Sequence, residues 1–151
     1  VMQGHAIEVR IYAEDPETYL PQTGDVALLS VPDGPGIRHD AGIEEGWTVG
    51  VHYDPLLAKL CAWGRTRTEA IQRMTRALDE YSVLAVQTNL SLLRHVGAHP
   101  EFAKGNTKTS FLTDFPYHAP PVPPVVYAAR ALMATGLSTR PPNLRVGPIA
   151  V

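Results

Sequence analysis

The sequence predicts an α+β domain, in which an antiparallel β-sheet is followed by packing helices and then by a proline-rich C-terminal tail. Three observations carry this expectation. Short alternating or apolar runs recur at hairpin spacing up to Trp63, three-to-four helical spacing begins after Gly64, and proline use changes sharply near residue 116. Six of the fourteen prolines lie in residues 1–115 and eight in residues 116–151.

The opening segment alternates, with Ile7, Val9, Ile11 and Ala13 on one side and Glu8, Arg10, Tyr12 and Glu14 on the other. That is the pattern of a half-buried strand. "DPETYLPQTG" then supplies turn residues, and Val26 to Val31 reads as a second strand stopped by "PDGPG". Ile37 to Ile43 forms a third, "EEG" a turn, and Thr48 to Val51 the start of a fourth. Leu56 to Trp63 is apolar except for Lys59, as a buried central strand would be. After Gly64, Thr66 and Glu69 stand at capping-box spacing, and Ala70, Met74, Ala77, Leu78 and Tyr81 make one apolar helical stripe. Val83 to Val86 offers another strand, after which Thr88 or Asn89 can cap a second helix running to about Ala98. Beyond it, "PYHAPPVPP" reads as linker because proline lacks the amide donor, and "VVYAARALMAT" as a short Ala-rich helix ended by Gly136. No repeat is visible.

Composition bounds function. A length of 151 residues suits one domain, and 44% hydrophobic with 19% charged residues is a globular balance. Thirteen Lys plus Arg against fifteen Asp plus Glu give a net charge of -2, so no global positive field recruits nucleic acid or an acidic membrane surface. The apolar runs fall short of the ~20 residues of a membrane span, and no signal-peptide pattern opens the chain. Cys61 is the sole cysteine, which excludes an internal disulfide and a cysteine-rich zinc site, and a cytoplasmic location is expected.

The polar face of the first strand is the most unusual local feature. Glu8, Arg10 and Tyr12 project the same way, and a guanidinium held by a neighbouring carboxylate is a fixed cationic fork suited to a developing oxyanion. From pattern alone, a solvated face with cross-strand ion pairs is the commoner outcome. His95 and His99, four apart, lack a third ligand and read as a surface pair. Gly34 to Gly36 lacks the Lys-Ser/Thr end of a phosphate loop and reads as a hairpin turn. Lys59 calls for a paired partner or a pKa lowered by burial, Cys61 reads as core, and Asp54 before Pro55 as a turn-maker.

Taken together, "GHAIEVRIYAEDP" (4–16), "LPQTG" (20–24), "GPGIRHDAGIEEG" (34–46), "HYDPLLAKL" (52–60) and "QTNLSLL" (87–93) closely resemble the C-terminal domain of biotin carboxylases, in the wording of the acyl-CoA carboxylase α-chain type. The match covers residues 4–115 in the family's order and spacing, which makes 1–115 the domain and 116–151 a proline/alanine-rich linker.

The resemblance implies chemistry. In this family an ATP-grasp domain activates bicarbonate with ATP and magnesium as carboxyphosphate, and the carboxyl group passes to the ureido nitrogen of biotin on a carrier domain. The family's arginine for the ureido oxyanion falls at Arg10. Arg38 matches a residue at a subunit contact in some biotin carboxylases, although the aromatic beside it there is Pro35 here. Thr109 in "TKTSFL" matches a position approaching the adenine, where it would act through packing.

The ATP-grasp glycine loop, its lysine and glutamate set, the bicarbonate motif and a Met-Lys-Met biotinylation site do not occur in these 151 residues. The expected reading is therefore a truncated piece with no metal site of its own. Biotin would reside on a separate carrier domain, and ATP and Mg²⁺ mainly on the ATP-grasp part. The expected partners are that ATP-grasp part, the biotin carboxyl carrier domain and a carboxyltransferase, with no nucleic acid and no membrane. The alternative is a non-catalytic packing or assembly module derived from the same domain.

Overall fold

The computed structural model of the chain describes residues 3–121 and Pro124. The chain divides into Val1–Ala119, which holds every strand and helix named below, and Pro120–Val151, which lies almost wholly outside the described residues. The Ala-rich helix expected over 125–135 and most of the expected linker fall there too.

Among the described residues, seven strands and four helices follow one another: β1 (His5–Tyr12), β2 (Gly24–Asp25), β3 (Leu28–Ser30), β4 (Ile37–Ala41), β5 (Thr48–Val49), β6 (Leu56–Gly64), α1 (Arg67–Glu80), β7 (Ser82–Leu84), α2 (Leu90–Ala98), α3 (Pro100–Lys104) and α4 (Phe111–Asp114). All pairing is antiparallel, as expected of this α+β fold, but it is distributed over three sheets rather than one: β1-β6-β4, β2-β5 and β3-β7. The hairpin expected around Gly34–Gly36 is not formed, because β3 pairs with β7 while β4 pairs with β6. Pro32 and Pro35 have no amide to offer a ladder, and Gly34 and Gly36 turn the chain through positive φ into the other sheet. A side chain at Gly36 is doubly excluded, since its φ is +78° and a Cβ there would lie 2.6 Å from the Trp63 carbonyl oxygen.

The core lies between one face of β1-β6-β4 and α1. Ile7 and Ile11 from β1, Ala13 just after it, Ala58, Leu60 and Ala62 from β6, and Ala70, Met74, Ala77 and Leu78 from α1 are all buried. Alanines at this junction let the helix lie close to the strand, and at Gly64 a Cβ would come within 2.5 Å of the Ala70 nitrogen. Tyr81 closes the helical stripe. It is fully buried, and its hydroxyl lies 2.8 Å from His39 Nε2 on β4.

Helix α1 begins as the sequence predicts. The Glu69 amide donates to Thr66 Oγ1 at 3.2 Å, but the returning Glu69 carboxylate accepts from the Arg65 amide at 2.7 Å rather than from Thr66. Glu69 also pairs with Arg73 one turn on, at 2.6 Å. Thr66→Ala should therefore destabilise the fold by about 1 kcal/mol, read as a lower urea midpoint with an unchanged slope.

The packed unit runs four residues beyond the expected boundary at 115. Tyr117 is buried with its ring edge-on to His95, centroids 5.5 Å apart, and the Ala119 amide donates to Glu17 at 2.9 Å. An aromatic and one satisfied amide are enough to hold this short proline-flanked stretch. No helix among the described residues is long and apolar enough to cross a membrane.

Candidate functional site

With Ile7, Ile11, Leu60 and Ala62 turned to the core, the two-residue period of the strands sends their neighbours to the open face of the β1-β6-β4 sheet. In register, Glu8 stands opposite Cys61, which stands opposite Arg38; Arg10 stands opposite Lys59, which stands opposite Asp40. Three cations and two carboxylates thus share one small face. Cys61 is consequently not core as expected but half-buried on this face, its thiol directed at Glu8 Oε2 at 3.9 Å. Burial, with the Glu8 charge behind it, pushes that thiol up and keeps it protonated.

Arg10 lies along this row. Its Nε is 3.4 Å from Glu8 Oε1, with the two side chains 57% and 47% exposed. The Tyr12 hydroxyl on the other side and the Glu8 carboxylate both raise the guanidinium above its ordinary value, so its charge is permanent. Arg38 makes a two-pronged contact with Asp40, at 3.1 and 3.0 Å, which likewise raises its pKa. Lys59, between Arg10 and Asp40 in register, makes no ion pair among the described residues. The pairing expected for it is absent because the strand directs its stem to the open face, where the ammonium can reach water.

A cavity of about 600 Å³ opens beside the free edge of β1, bounded by Arg10 and Tyr12 on the strand and by Asn89, Val96, Phe102 and Leu112 on the helical side. Thr109 does not line it. That residue is exposed in the turn before α4, so Arg10 and Thr109, the two sequence-predicted site residues, occupy separate places.

Other candidates resolve into structural parts. Asp54 accepts the Leu56 amide at 2.8 Å, the turn-making role expected of it. His99 caps α3 by accepting the Glu101 amide at 3.2 Å, and His95 packs against Tyr117. Glu14, near the end of the charged row, has its carboxyl raised by burial and then by the Asp54 charge. Asn89 is the residue that sequence reasoning misplaced. It stands before α2 as expected, but its side chain makes no capping bond to that helix. Instead it accepts from the Tyr12 amide at 3.0 Å and donates to the Arg10 carbonyl at 3.1 Å.

Residues 8–114 match the family described as the biotin carboxylase C-terminal domain. A biotin carboxylase of Halalkalibacterium halodurans is 49% identical over 113 residues, covering 75% of this chain and 25% of that protein. The mitochondrial methylcrotonoyl-CoA carboxylase subunit alpha of Dictyostelium discoideum is 39% identical over 142 residues, covering 90% of this chain and 20% of its own. Among solved structures, the biotin carboxylase domain of Hydrogenobacter thermophilus 2-oxoglutarate carboxylase, a dimer in complex with MgADP, ADP and bicarbonate, superposes with a TM-score of 0.75 at 34% identity, over 78% of this chain and 27% of that one. The chain thus spans about a quarter of the length of the relatives it matches. Family match, identity and fold agree, and the chain belongs to the biotin carboxylase C-terminal domain family.

Proposed function

We propose that this domain completes the site of a biotin carboxylase, the ATP- and bicarbonate-dependent ligase that carboxylates carrier-bound biotin, within an acyl-CoA carboxylase. The observation that carries the reading is the setting of Arg10, a permanently charged fork beside Glu8 and Tyr12 on a rigid strand, open on its outer side. Biotin, when bound, supplies the ureido nitrogen that takes the carboxyl group and the ureido oxygen on which negative charge collects. Arg10 donates to that oxygen, and Glu8 and Tyr12 hold the fork in place before charge develops, so little reorganisation is needed during reaction. Lys59 and Arg38 add positive potential to the same face.

Biotin is delivered by a carrier domain, and ATP and Mg²⁺ are held mainly by an ATP-grasp part. Among the described residues no three His, Cys, Asp or Glu side chains converge to hold a metal ion, while MgADP and bicarbonate accompany the related Hydrogenobacter domain. Thr109, in the turn before α4, approaches the adenine through packing, and a carboxyltransferase receives the carboxylated carrier. The Dictyostelium relative's name supports an acyl-CoA as the final acceptor.

The test is reconstitution. The 151-residue chain alone should neither cleave ATP in a bicarbonate-dependent manner nor carboxylate free biotin. Joined to the ATP-grasp part of the Halalkalibacterium relative, it should do both. Bicarbonate-dependent ATP cleavage by the chain alone, or an inert assembled enzyme, would overturn the proposal.

A further inference from the structure

We infer that Asn89 is a positioning residue for Arg10, acting as a one-residue substitute for a missing neighbouring strand. The inference rests on Arg10 being the oxyanion donor.

Strand β1 pairs with β6 along one edge only. Its even-numbered residues turn their backbone groups to the other edge, where a ladder partner would sit. Asn89 occupies that edge at one place. Its carboxamide accepts from the Tyr12 amide at 3.0 Å and donates to the Arg10 carbonyl at 3.1 Å, and its own amide donates to the Tyr12 carbonyl at 3.2 Å. These three bonds hold the pleat that carries Arg10 and Tyr12, the aromatic beside its guanidinium.

Two further observations make this more than an incidental contact. The register of β1 against β6 shifts between Ile11 and Tyr12, with Tyr12 opposite Leu56 and Ile11 opposite Ala58. The unpaired extra residue, Leu57, is on β6, so the ladder that holds β1 from its paired edge is interrupted just past Arg10, where the edge clamp is applied. Moreover, asparagine at a helix N-cap ordinarily bonds the first turn, as Thr66 does for α1 and His99 for α3. Asn89 makes no such bond, and at 7% exposure it is the buried polar residue among the described ones. Its bonds to β1 are therefore shielded from water, where exchange for solvent partners is unfavourable. The loop that delivers it includes Ala85 at φ +77°, a conformation unusual for a residue with a side chain, and is tied to the turn after β1 by Gln87 donating to Asp15 at 3.0 Å.

The backbone bond from Asn89 to Tyr12 survives any side-chain change, so α2 keeps its attachment while the two bonds flanking Arg10 are lost. In the assembled carboxylase, Asn89→Ala should lower kcat for biotin carboxylation about tenfold or more, with KM for ATP unchanged, because an oxyanion donor displaced by a fraction of an ångström loses most of its effect. The discriminating measurement is a double-mutant cycle: adding Asn89→Ala to Arg10→Ala should produce no further loss, since the clamp then has nothing left to aim. Multiplicative losses, or a normal kcat in folded Asn89→Ala, overturn the positioning role while leaving Arg10 as donor. A normal rate in Arg10→Ala overturns the reading of Arg10 itself.

Should alanine prevent folding, Asn89→Ser provides a second variant too short to reach both groups. In the unmodified 151-residue chain, NMR should find the Tyr12 amide and the Asn89 carboxamide protons exchanging slowly. Exchange of both at solvent rates would show that no clamp exists.

Discussion

Replacing Arg10 by alanine in the assembled carboxylase is expected to slow biotin carboxylation by on the order of 10²-fold or more, the scale seen when one preorganised oxyanion donor is removed. Nucleotide affinity should stay near its parent value, because Arg10 sits on the open sheet face and Thr109, the adenine-side candidate, lies elsewhere. Arg10→Lys keeps the charge but replaces a planar fork with a single ammonium, so it should recover only part of the rate. The competing view treats Arg10 as half of an exposed pair with Glu8, 3.4 Å apart and open to water. On that view, removal changes neither rate nor melting temperature appreciably. Rate and thermal denaturation measured on one preparation separate the two. A large rate loss with an unchanged melt supports catalysis, and an unchanged rate in the folded variant removes the role.

Features governed by a local period were legible in the sequence, and features governed by distant pairing were not. The alternation of Ile7 to Glu14 placed Arg10 on the open face correctly, and the stripe from Ala70 to Tyr81 marked the buried side of α1, because each pattern depends only on neighbours within a few residues. Cys61 shows the limit. A nearly continuous apolar run hides which residues face outward, and only the pairing with β1 and β4 turns Cys61 toward Glu8. The union of β3 with β7 joins segments more than fifty residues apart, for which no nearby turn signal exists. Asn89 carried a legible local signal, the helix cap, and its side chain follows a tertiary one instead. The role assigned to Arg10 came from the resemblance, since charge alternation on a strand is equally what a solvated face requires.

Tyr81→Ala is expected to produce the largest loss of stability, about 3–5 kcal/mol, in line with aromatic truncation in a core that cannot collapse around the void. Tyr81 is 0% exposed and is among the largest fully buried side chains. Tyr81→Phe keeps the volume and removes only the hydroxyl facing His39, so it should lose about 1–2 kcal/mol for the ring nitrogen left without its partner. The pair also sets a pH window. Burial lowers the His39 pKa, against a smaller opposing effect of Asp40, so the unfolded chain binds this proton more readily than the folded one. Stability from neutral His39 is then present above about pH 6.5 and lost as pH falls from there toward the lower folded value. Tyr81 works from the other side: burial pushes its phenol up to about 12, so its contribution is present below about pH 10 and lost as pH rises from 10 toward 12. Urea midpoints across pH 5 to 11 should trace a plateau falling at both ends, with Tyr81→Phe abolishing the alkaline fall and His39→Gln the acid one. If both falls persist unchanged in those variants, other groups set the window, and the buried pair is a packing contact without control over the pH dependence of the fold.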